Sequence, residues 1–342
     1  MSYLSIFCLG WVVSSLGILL IIRTPRLRAV SGVSPTEDRW HIQITPGLGG
    51  VPMFLGFVCV FWIGSGVADA WMFGIFSSAC ILFVVGLIDD IHRCGPGIKL
   101  SAQCFAAGLV VLTGSWSIPL AEHQWFGVLV QIVWIVAISN GVNLLDNMDG
   151  LAGGVALIAA MAVVILLSDV DGYHQYVRLL LVGLTGALAG FLIFNVNPAK
   201  IFMGDSGSQW IGLVIGASTL SLLTTESVSD VAMSRGLLVP LLILSVPLLD
   251  TSFVIITRKM RGQAASQGGR DHLSHRLVAL GCSERSSVAI LWLLAVAGSI
   301  TAYALVYAQM LVWLPILLAF IVCLVVIVVV ALRAVIPEAA GH

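Results

Sequence analysis

Eleven uninterrupted apolar runs dictate what this chain can become. They cover roughly residues 2–22, 48–67, 71–88, 99–118, 124–145, 153–168, 177–195, 207–224, 236–257, 286–306 and 310–332. A helix of about 20 apolar residues spans a bilayer. Within hydrocarbon every backbone N–H and C=O must find an internal partner, so runs of this kind read as helices. The alternation of a β-barrel strand is absent. At 59% hydrophobic and 10% charged residues, the chain leaves no stretch for a separate soluble domain. The expected fold is all-α: a polytopic membrane protein of about eleven transmembrane helices, forming one domain over residues 1–342. The first run has no basic segment before it and no small-residue cleavage site before Arg23, so it reads as a retained helix rather than a signal peptide.

Lys and Arg set the expected orientation. With the N-terminus outside and the C-terminus inside, 14 of the 16 basic residues fall in inner segments, and only Arg178 and Arg235 fall outside. The longest inner loops, about 23–47 and 258–285, then face the cytoplasm and contribute to a site there. The net charge of −1 gives no reason to expect a nucleic-acid partner. The seven cysteines are scattered without a CxxC pair, and read as packing residues rather than a disulfide frame or zinc site. No internal repeat is evident, which argues against an inverted-repeat transporter.

The acids divide by side. Asp69, Glu122, Asp169, Asp171, Glu226 and Asp230 fall in or beside outer loops, where solvation explains them. Asp89, Asp90, Asp146, Asp149, Asp205 and Asp250 fall at the inner ends of apolar runs. A carboxylate near a bilayer is costly and is seldom kept without a partner or a task. The inner set therefore marks a polar site at the cytoplasmic interface.

Four segments supply its chemistry. Asp89-Asp90 closes the third run, and adjacent carboxylates raise each other's pKa unless a cation offsets them. Lys99 follows, sharing a helix face with Gln103. The plain alternative is a helix end with solvated acids. Asn140, Asn143, Asp146 and Asp149 recur every three residues, a spacing that lines a polar stripe on one helix and suits a nucleoside or a water-bridged metal. An interhelical hydrogen-bond seam is the alternative for the asparagines. In Asn195-Val196-Asn197-Pro198-Ala199-Lys200-Ile201-Phe202-Met203-Gly204-Asp205-Ser206-Gly207-Ser208, Pro198 breaks a helix and Asp205 starts the next one. A carboxylate there is either an N-cap or a ligand for a hard cation, and Mg²⁺ takes one or two carboxylates plus substrate phosphates. Arg270-Asp271-His272-Leu273-Ser274-His275-Arg276, after Gly268-Gly269, reads as a mobile substrate clamp; a solvated basic loop and a zinc site are the alternatives. Thr45-Pro46-Gly47-Leu48-Gly49-Gly50 alone is a turn and a helix start, and Asp250 has no assigned role.

Together these segments resemble the polyprenyl-phosphate N-acetylhexosamine-1-phosphate transferases, a family related to the phospho-MurNAc-pentapeptide translocase. The resemblance runs from about residue 40 to 285 in five motifs in the family's order. It implies that Asp89 and Asp90 are catalytic, with Asp89 as base for the lipid phosphate. It implies Asp205 as the Mg²⁺ ligand, with Mn²⁺ an alternative metal. Lys99, Asn140, Asn143, Asp146, Asp149, His272, His275 and Arg276 become substrate-binding residues. DHLSHRL lacks the consecutive histidines of the translocase branch and is closer to the HexNAc branch, whose members often carry His where Ser274 stands.

The activity so implied is transfer of HexNAc-1-phosphate, GlcNAc-1-phosphate first among the candidates, from a UDP-sugar to undecaprenyl phosphate with release of UMP. Its setting is the bacterial cytoplasmic (inner) membrane, with the site on the cytoplasmic face, as the first membrane step of a cell-envelope glycan. The partners are UDP-HexNAc and the polyprenyl phosphate lipid, and a homodimer is compatible with the resemblance. A secondary transporter with acids in its helices is the alternative, although it would place them near the midplane.

Overall fold

The computed structural model describes residues 2–30, 32–33, 45–65, 70–114, 124–168, 173–225, 236–263 and 269–334. The acids expected in outer loops, Asp69, Glu122, Asp169, Asp171, Glu226 and Asp230, residues 34–44 of the first expected inner loop and Gly268 lie outside these segments.

The chain is a polytopic all-α membrane protein. Its helices are α1 (Tyr3–Arg23), α2 (Pro25–Val30), α3 (Gly50–Val60), α4 (Ala70–His92), α5 (Pro96–Thr113), α6 (Gln124–Leu145), α7 (Leu151–Leu166), α8 (Tyr173–Asn195), α9 (Asp205–Ser221), α10 (Leu238–Ile243), α11 (Ser245–Met260), α12 (Leu273–Ala279), α13 (Glu284–Tyr307) and α14 (Met310–Leu332). A two-residue antiparallel ribbon pairs Gly32–Val33 with Thr45–Pro46. Among the described residues, seven helices are long and apolar enough to cross a membrane: α1, α4, α5, α6, α8, α13 and α14.

The other expected spans are built from shorter pieces. The run at 48–67 is α3 continued by a π-helical turn, Phe61–Ser65. The run at 236–257 was expected as one helix and is instead two, α10 and α11, which part at Leu244. Pro247 explains the break: it has no N–H to give the carbonyl of Ile243, and its ring crowds that carbonyl.

Helix α9 is the axis of the bundle. It packs between α4 and α6, and every residue from Ser206 to Ser221 is buried. Its fully buried Trp210 meets the rings of Phe54 and Phe57 on α3. Six of its buried side chains are polar: Ser206, Ser208, Gln209, Ser218, Thr219 and Ser221. Most of the hydroxyls bond back to the carbonyl three or four residues earlier, as Ser218 Oγ does to Val214 at 2.7 Å. Such local bonds satisfy a hydroxyl without water. Helices α1 and α8 approach still more closely, because a Cβ at Gly10 would lie 2.2 Å from the carbonyl of Gly183. Small residues at such crossings let backbones touch where lipid gives no hydrophobic drive to associate.

Candidate active site

The C-terminal ends of α4 and α6 and the N-terminal ends of α5 and α9 meet at one end of the bundle. Lys99, in the first turn of α5, joins two of them: its Nζ donates to Asp89 Oδ2 at 3.1 Å and to Asp205 Oδ2 at 2.9 Å. Asn143, in the last turn of α6, donates from Nδ2 to Asp205 Oδ1 at 2.9 Å and to Ser208 Oγ at 2.8 Å. Gln209 Nε2 adds a third donor to Asp205, at 3.0 Å. Four residues separate Asp205 from Gln209, which puts both on one helix face; that spacing is the sequence signal by which Gln209 could have been found.

Asp90 does a different job from its neighbour. Its Oδ1 accepts the N–H of Asp205 at 2.8 Å and its Oδ2 accepts the N–H of Ser206 at 3.0 Å. The first N–H groups of a helix lack intrahelical partners, so Asp90 caps α9 from another helix. The turn before α9 leaves no room for side chains. Gly204 has φ 72°, and a Cβ on it would lie 2.5 Å from the carbonyl of Gly47 and 2.6 Å from Asp90 Oδ2. Behind this turn runs the Thr45–Gly50 segment. Phe202 N donates to Pro46 O, Gly49 N to Phe202 O and Gly50 N to Met203 O, all within 2.9 Å. The glycine-rich segment that alone read as a turn is thus the backing of the Asp205 turn.

Two carboxylates, Asp89 and Asp205, face one ammonium here, with Asp90 beside them on the backbone of α9. Asp89 Oδ1 is buried and has no hydrogen-bond partner among the described residues. No group of three His, Cys, Asp or Glu side chains spaced for a metal occurs among the described residues. Mg²⁺, however, takes one or two protein carboxylates and completes its octahedron with phosphates and water. An anionic pair of hard oxygen donors with one bare oxygen fits that demand.

The expected polar stripe through 140–149 is not continuous. α6 ends at Leu145, and residues 146–149 form turns. Asn-Met-Asp-Gly favours turns over helix, and Gly150 completes it with φ 79°. Asn140 and Asn143 remain on α6 but part company. Asn140 exchanges two hydrogen bonds with Gln103 of α5, at 2.7 and 3.3 Å, so it forms an interhelical amide pair rather than facing Asp205. Asp146 is half-buried just beyond α6. Asp149 is buried and turns to the 197–199 loop, where its Oδ2 accepts from Ala199 N at 2.9 Å and Asn197 Nδ2 at 3.2 Å. Asn195 pins the same region, accepting from Gly150 N at 2.9 Å and donating to Ile201 O at 2.8 Å.

The basic loop is ordered by burial rather than solvated. Asp271, His272, Ser274, His275 and Arg276 are all buried. Asp250, with no exposed surface, accepts from His272 Nδ1 at 2.7 Å and from Leu273 N at 2.8 Å. It thereby caps α12 as Asp90 caps α9. Asp271 pairs with Arg258 at 3.0 Å and with Arg261. Burial raises the Asp271 carboxyl, but the hydrogen bonds and charges of the two arginines outweigh it and hold the group below its usual range. Ser274 Oγ donates to Asn147 Oδ1 at 2.8 Å. Asn143 and Asn147 lie either side of the end of α6, so that end touches both the Asp205 cluster and the basic loop. The His275 ring lies 5.8 Å from that of His272, and both its nitrogens are buried without a partner among the described residues. Burial, then the nearby His272, pushes His275 down to about 4, so it is neutral at pH 7. Arg276, expected to bind substrate, has its guanidinium buried against the carbonyls of Asp271 and Ala331.

Comparison with known proteins decides the family. Residues 72–223, which hold Asp89, Lys99, Asn143 and Asp205, match Glycosyl transferase family 4. A protein of Bacillus subtilis (strain 168) named "Probable undecaprenyl-phosphate N-acetylglucosaminyl 1-phosphate transferase" is 33% identical over 326 residues, covering 91% of this chain and 88% of that one. The chain belongs to the polyprenyl-phosphate N-acetylhexosamine-1-phosphate transferase family. Among the family's other members, the decaprenyl-phosphate N-acetylglucosaminephosphotransferase of Mycobacterium tuberculosis (strain H37Rv) is 33% identical over 298 residues, covering 78% of this chain and 73% of its own length. The phospho-N-acetylmuramoyl-pentapeptide-transferase of Listeria welshimeri is 29% identical over 246 residues, covering 63% and 74%. As a family member the chain is a sugar-phosphate transferase acting on polyprenyl phosphate.

Proposed function

We propose that this protein transfers HexNAc-1-phosphate, with GlcNAc as the first candidate sugar, from a UDP-sugar to undecaprenyl phosphate and releases UMP. The observation that carries the reading is the Asp89–Lys99–Asp205 array at one end of the bundle. A membrane enzyme with a lipid acceptor and a water-soluble donor needs its reacting groups at an interface, and the positive-inside distribution supports the cytoplasmic face of the bacterial inner membrane.

The reaction joins two anions. An oxygen of the lipid phosphate attacks the β-phosphorus of the donor, and the bond from that phosphorus to the bridging oxygen of the UMP portion breaks. UMP leaves with the bond's electron pair. Asp205 is the residue to hold Mg²⁺, with Asp89 beside it. When bound, the ion supplies charge neutralisation and orientation of the diphosphate. Lys99 lies between the two acids, where it can contact a phosphate oxygen and offset their repulsion. Asp89 keeps one bare oxygen that can take the proton of the acceptor phosphate; such base help is worth ~10²–10⁴-fold. Asn143 and Gln209 fix the Asp205 carboxylate in one orientation. The basic loop that carries His272 and His275 is the segment to meet the donor. The relatives' names support GlcNAc as the sugar.

The test is UMP release by detergent-purified protein given UDP-GlcNAc, polyprenyl phosphate and Mg²⁺, followed by mass measurement of the lipid product. Asp89→Asn and Asp205→Asn are expected to abolish it. Wild-type rates in both variants, or a wild type that releases no UMP from any UDP-HexNAc, would overturn the reading.

A further inference from the structure

The last helix contributes little to the bundle along its length. Of the 23 residues of α14, only Phe320 and Ala331 are buried. Phe320 lies in mid-helix, facing Gly298 of α13. Ala331 is in the final turn, has no exposed surface, and meets the basic loop.

That meeting is made by Arg276. Its Nη1 donates to the carbonyl of Ala331 at 3.2 Å, and its Nε donates to the carbonyl of Asp271 at 3.3 Å. Its guanidinium also lies 4.9 Å from the ring centre of Phe253 on α11. The last four carbonyls of a helix have no partner within its regular turns; that of Ala331 accepts the N–H of Ala334 at 3.2 Å and has room for a second donor, and that end of a helix carries a partial negative charge. A buried guanidinium supplies both a donor and a positive charge there. Arg276 is therefore bound to three parts of the protein: α11, the start of the basic loop and the end of α14.

We propose that Arg276 is a positioning residue that docks α12 on the C-terminal turn of α14 and so fixes the two histidines against the nucleotide-sugar donor. This rests on the donor-binding reading of the basic loop given above. The geometry is a clamp with two polar jaws, set beside the packing of α12 on α13. Asp250 holds the first residues of α12 through His272 and the N–H of Leu273. Arg276, one turn later, holds it to α14. His275 directly precedes Arg276, and its ring has no hydrogen bond among the described residues, so the ring is placed by its neighbours alone. In this arrangement α14 is an outrigger: a helix turned mostly to lipid, whose cytoplasm-side turn sets the position of a residue that touches substrate.

The full-length protein tests this. Ala331→Leu enlarges a side chain that has no room and touches no substrate. Arg276→Gln removes the charge, and Arg276→Lys keeps it. Steady-state UMP release would be measured against UDP-GlcNAc and, separately, against polyprenyl phosphate. Backbone hydrogen exchange over residues 273–279 would be followed in the same samples. Ala331→Leu and Arg276→Gln are each expected to raise the donor KM about tenfold, the size of one charged hydrogen bond, and to leave the lipid KM unchanged. Exchange across α12 should quicken in both. The double variant should be no worse than the poorer single one, since both break the same contact, and Arg276→Lys should recover part of the loss. If Ala331→Leu does not fold, Ala331→Val makes the same test with a smaller intrusion. Unchanged donor KM and exchange in the position 331 variant, beside a large effect of Arg276→Gln, would overturn the proposal and make Arg276 a donor contact. Additive effects would overturn it too. A wild type that releases no UMP would instead defeat the proposed function, while the exchange comparison would still decide the clamp.

Discussion

The carboxylate of Asp90 accepts the backbone N–H groups of both Asp205 and Ser206, so one acid of an adjacent pair builds the platform on which another acid stands. Asp89 and Asp90 differ by one position and point to separate tasks. The first faces Lys99 and keeps an oxygen bare. The second spends both oxygens on the start of α9.

This separates the two in mutants. Asp90→Asn retains an acceptor oxygen for α9 and loses the charge that favours a helix N-terminus. It is expected to lower stability by about 0.3–1 kcal/mol, the worth of a negative charge at a helix N-terminus, and to keep measurable UMP release. Asp89→Asn should lose activity with little change in thermal unfolding. Thermal melts in detergent beside rate measurements check this; equal inactivity with unchanged melting in both variants would refute it.

Lys99 bridges Asp89 and Asp205, so Lys99→Gln leaves two carboxylates facing each other without a cation. The rate should fall about 10²–10³-fold, the usual cost of one preorganised electrostatic contact. Raising Mg²⁺ should restore part of the loss in Lys99→Gln and none in Asp205→Asn. A Mg²⁺ titration of both variants reads this directly.

Asn140 and Asn143 should behave as different residues. Asn140→Ala breaks the amide pair with Gln103 and strands a buried partner. A stability loss of about 1–3 kcal/mol is expected, with substrate KM values preserved. Asn143→Ala frees Asp205 to rotate, and its effect should appear in kcat. Kinetics that implicate Asn140 in donor binding would reverse the assignment.

The basic loop should make the protein acid-labile. His275 is held at about 4 by burial first and by His272 second, whereas an unfolded histidine titrates near 6.5. As pH falls from about 6.5 through about 4, the unfolded chain binds a proton that the fold refuses, and stability drops. Asp271, held below its usual value by Arg261 and Arg258, contributes stability that is present above the ordinary carboxylate range and is lost at still lower pH. Melting temperature measured from pH 7 to 4.5 should decline in the wild type and decline less in His275→Phe.

Much of the site was legible in residue type and place. Acids at the ends of apolar runs, a lysine soon after a pair of them, and an acid opening a helix after Pro198 singled out Asp89, Lys99 and Asp205, three side chains that the structure brings into contact. The spacing of three that linked Asn140 to Asp149 misled, because period says nothing about where a helix stops. The Asn-Met-Asp-Gly turn stopped α6 at Leu145, and Asp149 went to a different loop. Capping between helices was also hidden. Asp90 and Asp250 serve helices that begin 115 and 23 residues later, and local sequence carries no mark of such a partner. The burial of Arg276 was hidden as well, because a basic loop looks solvated until its packing is known.

The polarity of α9 bears on how the protein enters the membrane. Most of its hydroxyls are met within the helix, but the Asp205 carboxylate takes donors from Lys99 and Asn143 on other helices, which makes α9 a poor candidate for independent insertion, since a polar group left in lipid is costly. Its two flanking helices, α4 and α6, come earlier in the chain. During synthesis they are made first and can offer α9 a protein-lined berth instead of bare hydrocarbon. The order of the helices along the sequence is thus also an assembly schedule, in which the segment carrying Asp205 arrives after the walls that shelter it.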